Sequence, residues 1–420
     1  MQWASGRVPH DHTFWAVAGG EVLSMLGDFA YQVAFAWLVL SVTGSALTLA
    51  AVMICNMVPN GLLLLVGGAV TDRWSPKHVM FCSHLFRGLL VSGLCMLTFT
   101  GSVRIWQFYA IAAAFGLADA FFWPASGSIM PLLADTRDLP AANAVVAAGE
   151  QVAMFAGPLL GGAVMTAFSP SAVLAVNAAT FFIAAMTVLH APAAVSPRQD
   201  RRRSPGGLRS SITAGLSYAR SAAEVRAVLV IVSASTLAYS GLFAVALPAS
   251  ARASGHGPLT LGALIACWGL GQLLGAISAG ITGLPHRWGA LIIGTALCEG
   301  TAFAVIGAAA SLPVACSLLA VLGVGVAYSS DVALATWIHV STPTELLGRV
   351  NSLISLPRVI LPPVSLVVMG ALAAVGARLP FYLASGLMLL TGAVLALNPA
   401  ARKLSMENRA PAPAGLSHPP

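Results

Sequence analysis

The stretch Pro197-Arg-Gln-Asp-Arg-Arg-Arg-Ser-Pro-Gly-Gly-Leu-Arg209 is a long polar interruption in an otherwise apolar chain. Proline, glycine, serine and charge together cannot bury enough apolar surface to order a segment, so this part reads as a loop. From Leu208 the pattern changes. Leu208, Ile212, Leu216 and Ala219 recur every three to four residues, with Ser211, Ser217 and Arg220 between them. That spacing predicts a short amphipathic helix lying on a membrane surface. On each side the chain reads as six apolar spans. The expected divisions are 1–191 for a first six-helix bundle, 192–225 for a basic linker, 226–398 for a second bundle and 399–420 for a disordered tail.

The two sides are related in sequence. Leu47-Thr48-Leu49-x-Ala51 returns as Leu259-Thr260-Leu261-x-Ala263, and Cys55 returns as Cys267, each 212 positions later. Gly68 and Gly88 keep that spacing to Gly280 and Gly300. Leu139 and Asn143 match Leu347 and Asn351 at 208, so a few residues are lost near the fourth span. A register that holds across two spans points to duplication. Parallel six-span repeats are a transporter architecture, with the substrate site between the halves near the membrane midplane.

Composition places the chain in a bilayer. Of 420 residues, 58% are hydrophobic and 8% charged, against about 25% charged in soluble domains. Runs of about 20 apolar residues recur, the length a membrane-spanning helix needs. The start, Met1 to Thr13, is polar and shows no cleavable signal pattern. Positive charge is one-sided. Sixteen of the 21 Lys and Arg residues fall on the side of the linker and termini, whereas Arg104, Arg252 and Arg378 fall on the other. The positive-inside rule then puts both termini and the linker in the cytoplasm of a cell-membrane protein. The net charge of +7 therefore reads as topology and contact with lipid headgroups, not nucleic acid. The six cysteines all fall within spans, without metal-ligand spacing.

Span 1, roughly Phe14 to Leu40, carries Glu21, Ser24, Asp28, Tyr31 and Gln32 at spacings that share one helix face. An acid near the centre of a span costs about 2.5–3.5 kcal/mol to insert, so this stripe is expected to face a water-filled cavity rather than lipid. There Asp28 or Glu21 would bind a proton or a cationic group. The alternative is that one of them makes a structural pair. Asp119 in span 4 and Asp331 in span 10 are further intramembrane acids. Superposing the halves aligns Arg87 with Glu299 and Glu150 with Arg358, the charges exchanged between copies. This suggests one ion pair per half, Arg87–Glu150 and Glu299–Arg358. Arg87 meeting Glu21 or Asp119 is the alternative. His84 and His190 read as packing residues, and Trp37, Trp106, Trp123, Trp268 and Trp337 as interface anchors or stacking platforms.

Span 2 ends in Gly68-Ala-Val-Thr-Asp72-Arg73-Trp-Ser-Pro-Lys77. This resembles the loop signature of the major facilitator superfamily, with Gly68, Asp72, Arg73 and Lys77 matching. Ser75 and Pro76 depart from the usual Gly and Arg. Asp72 would satisfy amides at the start of the next helix. In span 5, Gly157-Pro158-x-x-Gly161-Gly162 resembles the antiporter motif of exporters in that superfamily; as bare residues it reads as a kinked packing helix. Added to Leu26-Gly-Asp28, Val42-Thr-Gly-Ser45, Ala120-Phe-Phe-Trp-Pro-Ala125 and Glu345-Leu-Leu-Gly-Arg-Val-Asn351, these motifs resemble the enterobactin-exporter-like branch, which includes macrolide efflux proteins. The resemblance covers most of residues 15–400.

The expectation is an all-α polytopic protein of twelve transmembrane helices in two parallel six-helix bundles. The resemblance implies export of a small organic molecule by proton antiport; a monomer whose two halves rock is expected. Its partners would be a small-molecule substrate, protons and membrane lipid. No nucleotide loop, His-Glu-x-x-His or Gly-x-Ser-x-Gly motif appears. Neither a cofactor nor an enzymatic activity is expected. A proton-coupled importer of the same fold and a transport-inactive sensor or accessory protein are the alternatives.

Overall fold

The computed structural model describes residues 11–191, 223–283, 287–308, 311–341 and 344–402. The linker arginines Arg198 to Arg220, the amphipathic helix expected from Leu208, and the tail from Lys403 lie outside the described residues. Among the described residues there is no strand, and twelve helices are long and apolar enough to cross a membrane. These are α1 His12–Thr43, α2 Ala46–Arg73, α3 Pro76–Phe99, α4 Ile105–Leu133, α5 Leu139–Ala167 and α6 Pro170–Val188, then α7 Val225–Ala253, α8 Pro258–Thr282, α9 Trp288–Gly307, α10 Leu312–Ser330, α11 Val350–Val375 and α12 Leu379–Leu397. Two spans hold wider π turns. Leu242–Ala246 interrupts α7, and Ala327–Ala333 begins near the end of α10.

Local chemistry explains the boundaries. Gly44 closes α1 in the left-handed conformation (φ 65°), and the Ser45 side chain then accepts from Thr48 N at 3.1 Å to open α2. Proline at the first turn starts α3, α6 and α8, where its missing N–H is not needed. This accounts for the departures from the span 2–3 signature: Ser75 is the N-cap of α3 and Pro76 its first residue. It also corrects the role given to Asp72, which sits exposed in the last turn of α2 and does not cap α3. The tail needs a correction too. Pro399–Arg402 is a helical turn, held because Ala401 is buried against Gly289.

The helix pairings repeat at an interval of six. α1 packs on α5 as α7 does on α11, α2 on α4 as α8 does on α10, and α3 on α6 as α9 does on α12. The halves meet through α5 with α8 and α2 with α11, two interfaces that the same interval exchanges. Both lean on glycine. Gly162 lies against Pro258, Leu259 and Gly262, and Gly370 against Ala46, Leu47 and Ala50. These contacts lie toward the α1–α2 loop. Toward the linker, Leu62 and Leu65 on α2 and Leu356 and Val359 on α11 are exposed.

Gly67 and Gly116 hold the α2–α4 crossing. A Cβ at Gly116 would lie 1.9 Å from Asn56 O, and one at Gly67 would lie 1.9 Å from Ala120 O. Backbone cannot yield as a rotamer does. Gly116→Ala is therefore expected to destabilise the protein by about 1–3 kcal/mol, read as a lower melting temperature in detergent. Gly68, the glycine of the signature, has open space at its Cβ. Gly68→Ala should melt with wild type; a matching loss there would show that the crossing is not the cause.

Candidate functional site

Between the halves lies a cavity of about 300 Å³. The first half supplies most of its wall from α1, α2, α4 and α5, and the second closes it with Phe243, Ala244, Pro248, Leu261 and Ile265. The span 1 stripe, Glu21, Ser24, Asp28, Tyr31 and Gln32, lines it throughout. Tyr31 is fixed by stacking on Phe35 and Phe115, with centroids 5.2 and 5.3 Å away.

The ionisable groups divide by partner. Glu21 is buried and hydrogen-bonds His84 Nε2 at 2.7 Å. Arg87 is buried and ion-paired with Asp119 on α4, its guanidinium 4.1 Å from the Phe122 ring centroid. Asp28 has Oδ1 buried without a hydrogen-bond partner. The Asn177 side chain on α6 stands beside it, close enough to interact with the carboxylate. Arg87, Asp119 and Glu21 are close enough to act on Asp28 electrostatically. With Glu150 exposed on the wall, the cavity presents Glu21, Asp28, Asp119 and Glu150 against one lining cation, Arg87. Such a surface favours a proton or a cation and disfavours an anion.

Both ion pairs inferred from superposed halves need correction. Arg87 pairs with Asp119, not Glu150, because α3 packs directly on α4 while α5 packs on α1 and α8. Glu299 and Arg358 line a second cavity within the second half, but form no ion pair among the described residues. Here α9 packs mainly on α12 and α10 rather than on α11. Matching depth in a repeat does not guarantee matching neighbours. Asp331 falls in the π turn Ala327–Ala333, and its side chain lies outside the described part of the structure.

The remaining motif residues stand apart from the cavity wall. Asp72, Arg73 and Lys77 lie at the linker end of α2 and α3. Gly157 and Gly161 let α5 approach Phe29 and Ala30 of α1, and Gly162 and Pro158 meet Gly262 of α8. That run joins α5 to its own half on one side and to the other half on the other. Sequence reasoning missed His84 as a partner and Asn56 and Asn177 as polar neighbours. The signal for His84 was its position one helical turn before Arg87 on α3.

The Major Facilitator Superfamily profile matches residues 17–356. A multidrug efflux pump, Tap, of Mycolicibacterium fortuitum is 27% identical over 387 residues, covering 90% of this chain and 93% of that protein. The enterobactin exporter EntS of Escherichia coli is 26% identical over 340 residues, covering 80% and 79%. Among solved structures, an inward-facing bacterial homologue of the human lysosomal transporter Spinster superposes with a TM-score of 0.66 at 12% identity, over 93% of this chain and 96% of that one. The nucleoside transporter NupG gives 0.67 at 13% identity, over 94% and 100%. At those identities the structures speak for the fold alone.

Proposed function

The chain belongs to the Major Facilitator Superfamily, a family of multi-pass membrane transporters, and from that premise we propose that it exports a small organic molecule in exchange for protons. The observation that carries the reading is Asp28, a carboxylate on the wall of a cavity between the halves that has the Asn177 amide beside it but no ion-pair partner among the described residues. A buried carboxylate without an ion-pair partner is costly, and the cost is relieved by taking up either a proton or a cationic group. Those two occupants exclude one another at one oxygen, which is the minimum an exchanger requires. Protonation removes the charge and favours return of the empty carrier; substrate replaces the proton on the side facing the cytoplasm. The Gly157–Gly162 run and the efflux relatives support the outward direction. The glycine contacts near the α1–α2 loop, with exposed α2 and α11 toward the linker, are consistent with a form open to the linker side, which the charge distribution assigns to the cytoplasm.

The test is accumulation of fluorescent dyes and antibiotics in an efflux-deficient bacterial host. Cells carrying the protein are expected to accumulate less of at least one compound, and a protonophore should abolish the difference. Higher accumulation in those cells would mean import. A difference that survives the protonophore would remove proton coupling.

A further inference from the structure

A second cavity, of about 220 Å³, lies wholly within the second half between α7, α8, α9, α10 and α11. It is separated from the central one by an aromatic wall. Phe243 faces the central cavity, while Tyr239 and Trp268 face the inner chamber. Tyr239 stacks on Phe243 at 5.7 Å, and Phe243 meets Trp268 at 4.9 Å.

Three buried polar atoms line this chamber: Glu299 Oε2 and Tyr239 Oη, which stand beside each other, and Trp288 Nε1, which has no hydrogen-bond partner. Glu299 is 3% exposed and Trp288 fully buried. Leaving a buried N–H unpaired costs stability. A carboxylate, a phenol and an indole N–H placed on the wall of one otherwise apolar cavity are the kind of sparse polar set that orients a ligand. Neighbouring hydroxyls do not engage this set, because Thr236 and Thr295 donate to their own helix carbonyls, Val232 and Leu291.

The arrangement specifies the occupant. Trp288, Ile292, Thr295, Ala296 and Glu299 lie along one face of α9. At about 1.5 Å rise per residue, the Cα atoms of Trp288 and Glu299 stand about 16 Å apart along the chamber wall. At the deep end, a carboxylate stands beside the Tyr239 and Trp268 rings, a combination that receives a primary ammonium. At the Trp288 end, an indole N–H can only donate, so it calls for an acceptor oxygen. Between them Ile292 and Ala296 on α9 face an apolar body. Arg358, also on the wall, disfavours a second cation and so argues against a diamine. We propose that this chamber is a second binding site, for a slender primary amine with an acceptor oxygen at its opposite end. The proposal does not depend on the direction or coupling of transport.

The probe is a series of α,ω-amino alcohols from aminobutanol to aminodecanol, titrated calorimetrically into the full-length protein in lipid nanodiscs. Saturable binding is expected, with affinity rising to an optimum chain length. The diol of equal length should bind about tenfold more weakly or worse, since it lacks the charge-assisted bond. Glu299→Gln should weaken the amino alcohol similarly. Trp288→Phe, which removes the N–H but keeps a ring, should weaken the amino alcohol and leave the oxygen-free alkylamine unchanged. Asp28→Asn should bind as wild type does. Loss of binding in Asp28→Asn would place the ligand in the central cavity and overturn the proposal. So would equal binding of the diol, unchanged binding in Glu299→Gln, or the absence of saturable binding, which would leave the chamber to water. If Glu299→Gln fails to fold, the Trp288→Phe comparison between amino alcohol and alkylamine decides alone. Because binding is read without transport, a failure here leaves the export reading standing, and the reverse also holds.

Discussion

Asp28→Asn is expected to raise accumulation of an exported compound to the level of cells lacking the protein, with its abundance in the membrane unchanged. The substitution keeps shape and polarity and removes only the capacity to bind a proton or pair with a cation. On the proposed cycle that capacity is the coupling step itself, so the loss should be about tenfold or greater in efflux rate, the scale of a charge-assisted interaction. Stability should not fall, because the amide keeps an oxygen beside Asn177 and is cheaper to bury than a carboxylate. Glu21→Gln is a useful contrast. Glu21 already has His84 at 2.7 Å, so its replacement exchanges a carboxylate acceptor for a weaker amide one in a buried hydrogen bond and should act through stability as well. Efflux by Asp28→Asn at the wild-type rate would remove Asp28 from the mechanism while leaving export intact.

Arg87→Ala is expected to produce the largest loss of folded protein among the charged positions. Arg87 is 2% exposed, ion-paired with Asp119, and set against the Phe122 ring. Removing one partner of a buried pair costs about 3–5 kcal/mol, because the other charge stays buried alone. The cation–π contact adds about 0.5–2 kcal/mol. Melting of the detergent-solubilised protein, with retained membrane abundance, would measure it. Arg87→Ala/Asp119→Ala should recover part of the loss, since no carboxylate is left stranded. Arg87→Ala/Glu150→Ala should recover none, as Glu150 is exposed on the cavity wall and not paired with Arg87. If the Glu150 combination recovers stability and the Asp119 combination does not, the pairing seen in the structure is wrong.

Much of the fold was legible because a bilayer imposes one strong rule: apolar runs of about 20 residues become helices, and their number and the repeat register follow from counting. The polar stripe on span 1 was legible for the same reason, since five residues at helical spacing share a face whatever that face meets. Partners were not legible. Arg87 and Glu150 sit at matching depths in a repeat, but depth says nothing about which helices touch, and α4 rather than α5 lies beside α3. The place of His84 one turn before Arg87 was a faint signal, but its bond to Glu21 depends on how α1 and α3 are both packed on α6. The π turns were equally hidden. Leu242–Ala246 adds one residue to a turn between Gly241 and Pro248; those two residues mark a weak point in a helix but not its widening, which alters which α7 residues face each cavity.

The glycine contacts between the halves bear on the energetics of the rocking that the proposed exchange would need. Where large side chains close an interface, each surrenders rotamer freedom, about 0.5–2 kcal/mol for the longer ones. At Gly162 against Gly262 there is no side chain to immobilise, only backbone already ordered by its own helix. Opening or closing that edge therefore carries little side-chain entropy in either direction. An exchanger needs its two forms close in free energy, so that a single proton or substrate can tip the balance. An interface of this kind keeps them close by leaving almost nothing there to freeze or release.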